Sequence, residues 1–501
     1  MRRLFALVLS FTLLFSFAGL CTLQAQSDNP NIIYVLADDM GYGDASCLNE
    51  RSKIHTTYID QLAAGGMKFT DAHSSSSVCT PTRYGILTGR YNWRSSLQSG
   101  VLWSYDTALI PHSRLTVAGM LKEKGYHTAC IGKWHLGLGW AKDTAGKIDF
   151  KQPIANGPVT LGFDYFYGIT ASLDIPPYFY IQNDRITATG IDTIAGTTGK
   201  GFWREGPIGN DFRHIEVLPR MAQKAVAYIT EQSKQATPFF LYLPLPAPHT
   251  PILPTAVFQG KSKTNAYGDF VLMVDDVVGQ VMEAVKKNGI EKNTIIIFAS
   301  DNGFAPMAGL KELQDLGHEP GYVFRGTKAD IYDGGHRIPF IVRWPGKIQA
   351  GSTCNTTICL TDFMATCAAI LHFPLPENAG EDSFSLLPLL IPGSKTNYGR
   401  HFTIHHSVFG SFSIRQGEWK LDICPRSGGW SHPTPFEARE QALPSVQLYN
   451  MEKDISELHN EAKQRPEIVK KLLALTQECI NNGRSTEGVK QKNDAVVTLF
   501  K

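Results

Sequence analysis

Two pairs of oxygen-bearing side chains stand at the ends of apolar runs in this sequence. Asp38-Asp39 closes the run 31–37 (NIIYVLA), and Asp301-Asn302 follows 294–300 (TIIIFAS). Three carboxylates and an amide offer only hard oxygen donors. Such a set suits Ca2+ or Mg2+ over zinc with its preference for nitrogen and sulfur. Adjacent aspartates on one strand point to opposite faces, so both converge only where the strand turns into a loop. A third feature is Ser77-Val-Cys79-Thr-Pro81-Thr-Arg83. Pro81 fits a first helical turn, where its missing N–H costs nothing. Cys79 then sits at a helix N-terminus, which favours anions, and Arg83, one turn on, faces the same side. A lone cysteine is ordinarily a small buried hydrophobe. A protease-type thiol needs a paired histidine, which the sequence does not identify.

These residues need elements to position them. Runs 127–132 (HTACIG), before Lys133-Trp-His135, and 239–245 (FFLYLPL), before Pro-Ala-Pro-His249, repeat the pattern of an apolar strand with a polar end. Continuous apolar runs suit strands buried on both faces of a parallel sheet. Helical patterns at 115–124, 221–234 and 267–288 lie between them. The expectation is an α/β fold with a large, mainly parallel sheet flanked by helices. Ligands bind such sheets at the carboxyl ends of the strands, where four different polar groups stand here.

The domain reading is a signal peptide over 1–25, a catalytic domain over 26–375, a linker over 376–398 rich in Pro, Gly and Ser, and a C-terminal subdomain over 399–501. Strand patterns at 401–406, 411–415, 417–424 and 446–450 and a helix at 466–481 make that subdomain α+β with an antiparallel sheet. Arg2-Arg3, the apolar run 4–20 and a cut near Ala25 describe a secretory signal. The run is too short and polar for a span, and Leu20 before Cys21 fits lipoprotein cleavage poorly. The product is expected to be secreted or periplasmic, with no transmembrane segment after signal removal. Apolar residues are 43% of the 501 and the net charge is +2, so a large core is expected and nucleic-acid binding is not. Nine cysteines without a C-x-x-C pair give neither a zinc ribbon nor a disulfide scaffold; one or two disulfides are compatible with export.

Cys79-x-Pro81-x-Arg83 with Leu87-Thr88-Gly89 resembles the signature of type I, formylglycine-dependent sulfatases of the alkaline phosphatase superfamily; Thr82 stands where the family often has Ser. The similarity continues in order. Asp38-Asp39 and Gly41-Tyr-Gly-Asp44 resemble the first metal-binding strand, and Gly132-Lys133-Trp-His135-Leu-Gly137 the second signature. Pro248-His249-Thr-Pro251, Ser300-Asp301-Asn302-Gly303 and the stretch from Gly326 through Lys328 to Pro339 follow. The family often has Glu where Asp333 stands. Leu448-Tyr-Asn450 through Asn460 resembles the C-terminal stretch.

The resemblance implies a sulfuric ester hydrolase. Cys79 would be oxidised by a formylglycine-generating or sulfatase-maturating enzyme, and its hydrate would attack sulfur to give a covalent sulfo-enzyme intermediate. It further implies Ca2+ on Asp38, Asp39, Asp301, Asn302 and residue 79. Lys133 and Lys328 would hold sulfate, with Ser172 of Gly168-Ile-Thr-Ala-Ser172 more loosely aligned. Arg83 would add fixed charge, His135 would serve as base for collapse, and His249 would protonate the leaving alcohol. Trp93, Trp103, Tyr178, Asp174 and Arg185 are candidates to line a sugar site, and His318, Glu319 and Arg325 to read hydroxyls. The substrate expected is a sulfated carbohydrate, with galactose or N-acetylgalactosamine sulfate first. The rivals are a phosphatase or phosphonate hydrolase of the same superfamily, whose His- and Asp-rich second-metal motifs are not evident, and a silent glycan-binding homologue, which would have lost Cys79, a lysine or a metal ligand.

Overall fold

The computed structural model describes residues 29–391, 393 and 397–500; the expected signal segment lies outside them. The large sheet has ten strands. In chain order they are β1 (Asn31–Asp38), β2 (Met67–Phe69), β3 (His127–Lys133), β4 (Tyr165–Ile169), β5 (Ile181–Gln182), β6 (Arg185–Ile186), β7 (Phe239–Pro248), β8 (Thr294–Ser300), β9 (Phe340–Arg343) and β10 (Ser352–Cys354). Their spatial order is β10-β2-β9-β8-β1-β7-β3-β4-β5-β6. The core β8-β1-β7-β3-β4 is parallel, and β9, β5 and β6 run antiparallel to their neighbours.

All eight residues of β1 are buried. Ile33, Val35 and Ala37 enter one core, and Ile32, Tyr34 and Leu36 the other. That is why the run has no polar alternation: both sheet faces are covered. Helices α1 (Thr57–Ala64), α4 (Val217–Gln232) and α5 (Ala266–Lys287) pack on the first face. Helices α2 (Cys79–Thr88), α3 (Val117–Glu123) and α6 (Phe363–Ile370) pack on the second. Each aliphatic side chain so buried is worth roughly 1.5–3 kcal/mol.

Strands β11 (Thr403–His406), β12 (Phe412–Gln416), β13 (Trp419–Ile423) and β14 (Gln447–Asn450) form the small antiparallel sheet. Helix α7 (Pro466–Asn482) packs beside it. The segment expected as a linker is packed against both neighbouring units over its described part. Asp382 is fully buried and takes a two-pronged ion pair from Arg94, with Nε at 2.8 Å and Nη2 at 2.8 Å. Arg94 Nη1 also donates to the Cys479 carbonyl in α7. Glu381 beside Asp382 is buried too, paired with Arg90 and Arg114, so this Pro- and Gly-rich stretch carries two buried charges that its composition does not reveal. The eight described cysteines are free thiols. Among the described residues no helix is long and apolar enough to cross a membrane.

Candidate active site

The parallel register brings the strand ends together. Ala37 of β1 pairs with Ser300 of β8, so Asp38-Asp39 and Asp301-Asn302 emerge side by side. On the other flank Asp38 pairs with Pro248, the residue before His249. Strand β3 lies beyond β7, and its terminal Lys133 pairs with Ile169, three residues before Ser172. The sheet order thus sets the acids, His249, Lys133-His135 and Ser172-Asp174 along one edge. Gly132 is held at φ 143°, where a Cβ would stand 2.0 Å from the Pro244 carbonyl oxygen, so glycine lets β3 lie against β7 at this point.

Helix α2 begins at Cys79, preceded by Val78 in extended conformation. Its Arg83 is fully buried and reaches two strand ends. Nε and Nη2 donate to Asp301 Oδ2 at 3.0 and 2.8 Å, and Nη1 donates to the Lys133 carbonyl at 2.8 Å. Lys328 comes from a loop fastened to the cysteine loop by Ala329 N donating to Ser77 O at 2.9 Å.

Three acids meet three cations. Lys133 Nζ is 2.6 Å from Asp38 Oδ2, Lys328 Nζ is 2.5 Å from Asp39 Oδ1, and Arg83 takes Asp301. Asn302 Nδ2 donates to Asp39 Oδ1 at 2.7 Å, and Asp39 N donates to Asp301 Oδ1 at 3.3 Å. Two oxygens are left over: Asp38 Oδ1 and Asn302 Oδ1 are buried without a hydrogen-bond partner. Buried oxygens of this kind are costly unless paired. Asp38, Asp39, Cys79 and His249 also offer donor atoms all within 4.8 Å of one another. The donor set fits a hard cation, with the two unpaired oxygens as its natural ligands.

The charges shape each group. Burial works to raise the Asp38 carboxyl, but Lys133, His249, Arg83 and Lys328 outweigh it and hold it well below the carboxylate range. Burial, reinforced by the charge of Asp38, pushes Asp301 up to about 6. Burial pushes the Cys79 thiol up to about 11, although Lys133 and Lys328 pull the other way. At neutral pH Cys79 is therefore a thiol, the unreactive form. His135 lies well below the ordinary histidine value because of burial, then Lys133 and Arg83. Its Nε2 is 2.9 Å from the Leu102 carbonyl, which can only accept, so Nε2 carries the proton and the buried Nδ1 is a free base. His249 Nδ1 donates to the Thr250 carbonyl at 2.5 Å, and its Nε2 stands 3.6 Å from Asp39 Oδ2.

Above this floor is a cavity of about 490 Å3 that Cys79, His135, Ser172, His249 and Lys328 all line. Of the residues expected around a sugar, Trp103 and Asp174 line it too. Tyr178 is buried behind, donating to the Arg204 carbonyl at 2.7 Å. Trp93 is elsewhere: it is 1% exposed and packs on Tyr91 and Phe412 in the core of the C-terminal unit. Arg185 lies on the far edge strand β6, donating to the Lys151 carbonyl. His318, Glu319 and Arg325 do not line the cavity. His318 is buried on Asp44 at 2.8 Å, Glu319 accepts from Gln314, and Arg325 lies over the Tyr332 ring at 4.1 Å. Sequence reasoning missed Arg204, Phe202, Met307 and Trp430 on the wall. Arg204 Nη1 is 2.5 Å from Asp174 Oδ2, and its guanidinium lies 4.9 Å from the Trp103 ring.

Comparison with known proteins agrees. Residues 30–373 match the Sulfatase family model. The chain is 34% identical over 500 residues to an N-acetylgalactosamine-6-O-sulfatase of Bacteroides thetaiotaomicron, covering 91% of this chain and 95% of the relative. It is 31% identical to human arylsulfatase A, covering 94% and 89%. A solved structure from work on glycosaminoglycan metabolism by Bacteroides thetaiotaomicron superposes with a TM-score of 0.80 at 32% identity, covering 90% of this chain and 99% of that one. The chain belongs to the sulfatase family and is a sulfuric ester hydrolase.

Proposed function

We propose that this exported enzyme hydrolyses sulfate monoesters on glycans, with galactose or N-acetylgalactosamine sulfate as the sulfated unit. The observation that carries the reading is Cys79 itself, buried among three cations, 3.6 Å from Lys328 Nζ, with a thiol too weakly acidic to act as a thiolate. Such a residue gains a role once oxidised to formylglycine by a maturation enzyme. As its hydrate, that group supplies the hydroxyl that attacks sulfur. The N-acetylgalactosamine relative supports the choice of sugar.

Each side chain then has a task. Lys133, Lys328 and Arg83 hold fixed positive charge around the sulfate oxygens, where such preorganised charge is the largest contribution to rate. Ser172 adds a hydroxyl at the cavity wall. His249, with Nδ1 fixed by the Thr250 carbonyl, presents Nε2 as proton donor to the departing sugar oxygen. His135, neutral, keeps Nδ1 ready to accept a proton when residue 79 is regenerated. Asp38, Asp39, Asp301 and Asn302 would hold Ca2+, with residue 79 as a further ligand. Bound there, the ion would polarise a sulfate oxygen and favour ionisation of the attacking hydroxyl.

Mass spectrometry of the residue-79 peptide from the native host tests the chemistry. The peptide should be lighter than its thiol form by the difference between SH2 and O. Active material carrying only thiol would refute this mechanism. Sulfate release from defined galactose and N-acetylgalactosamine sulfates tests the substrate.

A further inference from the structure

Past Trp430 the cavity adjoins a second depression, about 500 Å3, on the C-terminal unit. Trp430 lines both. The second depression is aromatic and exposed: Phe409 is 50% accessible, Trp430 36% and Phe436 71%. Thr434, Pro435 and Arg439 complete its lining. A contiguous group of exposed aromatics marks a binding surface.

This platform is fastened to the loop that carries Lys328. Ile331 N donates to the Ser427 carbonyl at 2.7 Å, and Val408 N to the Ala329 carbonyl at 3.1 Å. Ser431 donates to Asp330 through both N (3.0 Å) and Oγ (2.5 Å). Gly429 packs so closely that a Cβ would lie 2.3 Å from the Ala329 carbonyl oxygen. Phe436 stands on the helix Pro435–Glu440, closed at its start by the reciprocal Thr434–Glu437 bonds. The aromatic faces therefore hold a fixed distance from the ammonium that meets the sulfate.

We propose that this depression is a subsite for a second pyranose, the chain neighbour of the sulfated residue in the cavity; this rests on the glycan reading above. The apolar C–H face of a pyranose stacks on aromatic rings, which also carry polar neighbours at their rim. Thr434 and Arg439 supply those neighbours, and Arg439 suits the anionic units of a sulfated glycan. Trp430, common to both walls, makes the two depressions neighbours, as two linked sugars require. A protein partner fits less well, since a standard interface covers about 800 Å2 on each side.

The test compares two substrates: N-acetylgalactosamine 6-sulfate and a tetrasaccharide bearing that residue at its non-reducing end. Wild-type protein should show a higher kcat/KM on the tetrasaccharide, mainly through KM. Phe409→Ala with Phe436→Ala should lower tetrasaccharide kcat/KM about tenfold, the loss of one stacking contact, and leave the monosaccharide within about twofold. Equal kcat/KM on both substrates in wild type, or a preference untouched by the double substitution, overturns the subsite. So does a self-associated wild type that the substitution converts to monomer in sedimentation. Absence of turnover on both sugars by converted protein refutes the substrate reading and takes the subsite with it.

Discussion

Lys328 Nζ lies 3.6 Å from Cys79 Sγ and 2.5 Å from Asp39 Oδ1, so one ammonium joins the helix-start cysteine to the acidic cluster. Lys328→Ala should lower kcat by roughly 10²–10³, the loss seen when one preorganised donor is removed. Lys328→Arg should not restore it, because a planar fork cannot replace a compact ammonium at this spacing. Recovery to near wild-type rate with Arg would show that only net charge matters.

His249→Ala should slow hydrolysis of a sugar sulfate by roughly 10²–10⁴. The deficit should shrink on an aryl sulfate whose phenol leaves without protonation. Equal losses on both substrates would remove His249 from the role of acid and leave it a positioning residue.

Stripping divalent cations with a chelator should abolish sulfate release and lower the melting temperature, because Asp38 Oδ1 and Asn302 Oδ1, which have no hydrogen-bond partner among the described residues, would lose the ion proposed for them. Calcium should restore both better than magnesium, since the donors are several hard oxygens without imposed octahedral geometry. Asp38→Asn should weaken that recovery. Activity indifferent to chelation would end the calcium assignment.

His214 should make the cavity wall acid-sensitive. It stacks on Trp203 at 4.3 Å, behind the 172–174 loop, and burial lowers it to about 4. The fold favours its neutral form. The stability it contributes is therefore complete above its unfolded value near 6.5 and is lost as pH falls from 6.5 toward 4, about 3 kcal/mol in all. Wild-type stability, from denaturant titration, should fall through that window; His214→Gln should flatten the slope. An unchanged slope would place the acid sensitivity elsewhere.

Arg94→Ala leaves the buried Asp382 carboxylate without its cation. Breaking a buried pair from one side costs about 3–5 kcal/mol. Arg94→Ala with Asp382→Ala should recover part of this, and a double-substitution cycle would measure it.

The strand ends were legible because a run such as 295–299 (IIIFA), buried on both faces, carries no polar residue between the first and last positions of its strand. Register then did the rest, since pairing Ala37 with Ser300 leaves the next residues no other place. The wall was not legible. Arg204 reaches Asp174 from 30 positions away, from the connection between the paired short strands Ile191–Ile194 and Gly206–Gly209, where no periodicity marks a neighbour. Trp93 misled for the opposite reason: an aromatic beside an arginine reads alike on a sugar platform and in a core, and Arg94 lies 4.2 Å over its ring inside the protein. Composition likewise hid the packing of the 376–391 segment, where Glu381 and Asp382 are both buried against arginines.

The burial of Cys79 has a consequence in time. Only 2% of its surface is accessible, at the floor of a cavity walled by loops from several strands. A modifying enzyme has to grip the chain around its target, and here the backbone on both sides is locked into helix α2 and the serine loop before it. If residue 79 becomes formylglycine as proposed, its oxidation has to precede closure of the sheet. Folding would then be the deadline: a chain that folds first would keep its thiol, intact in shape and without the nucleophile proposed for it.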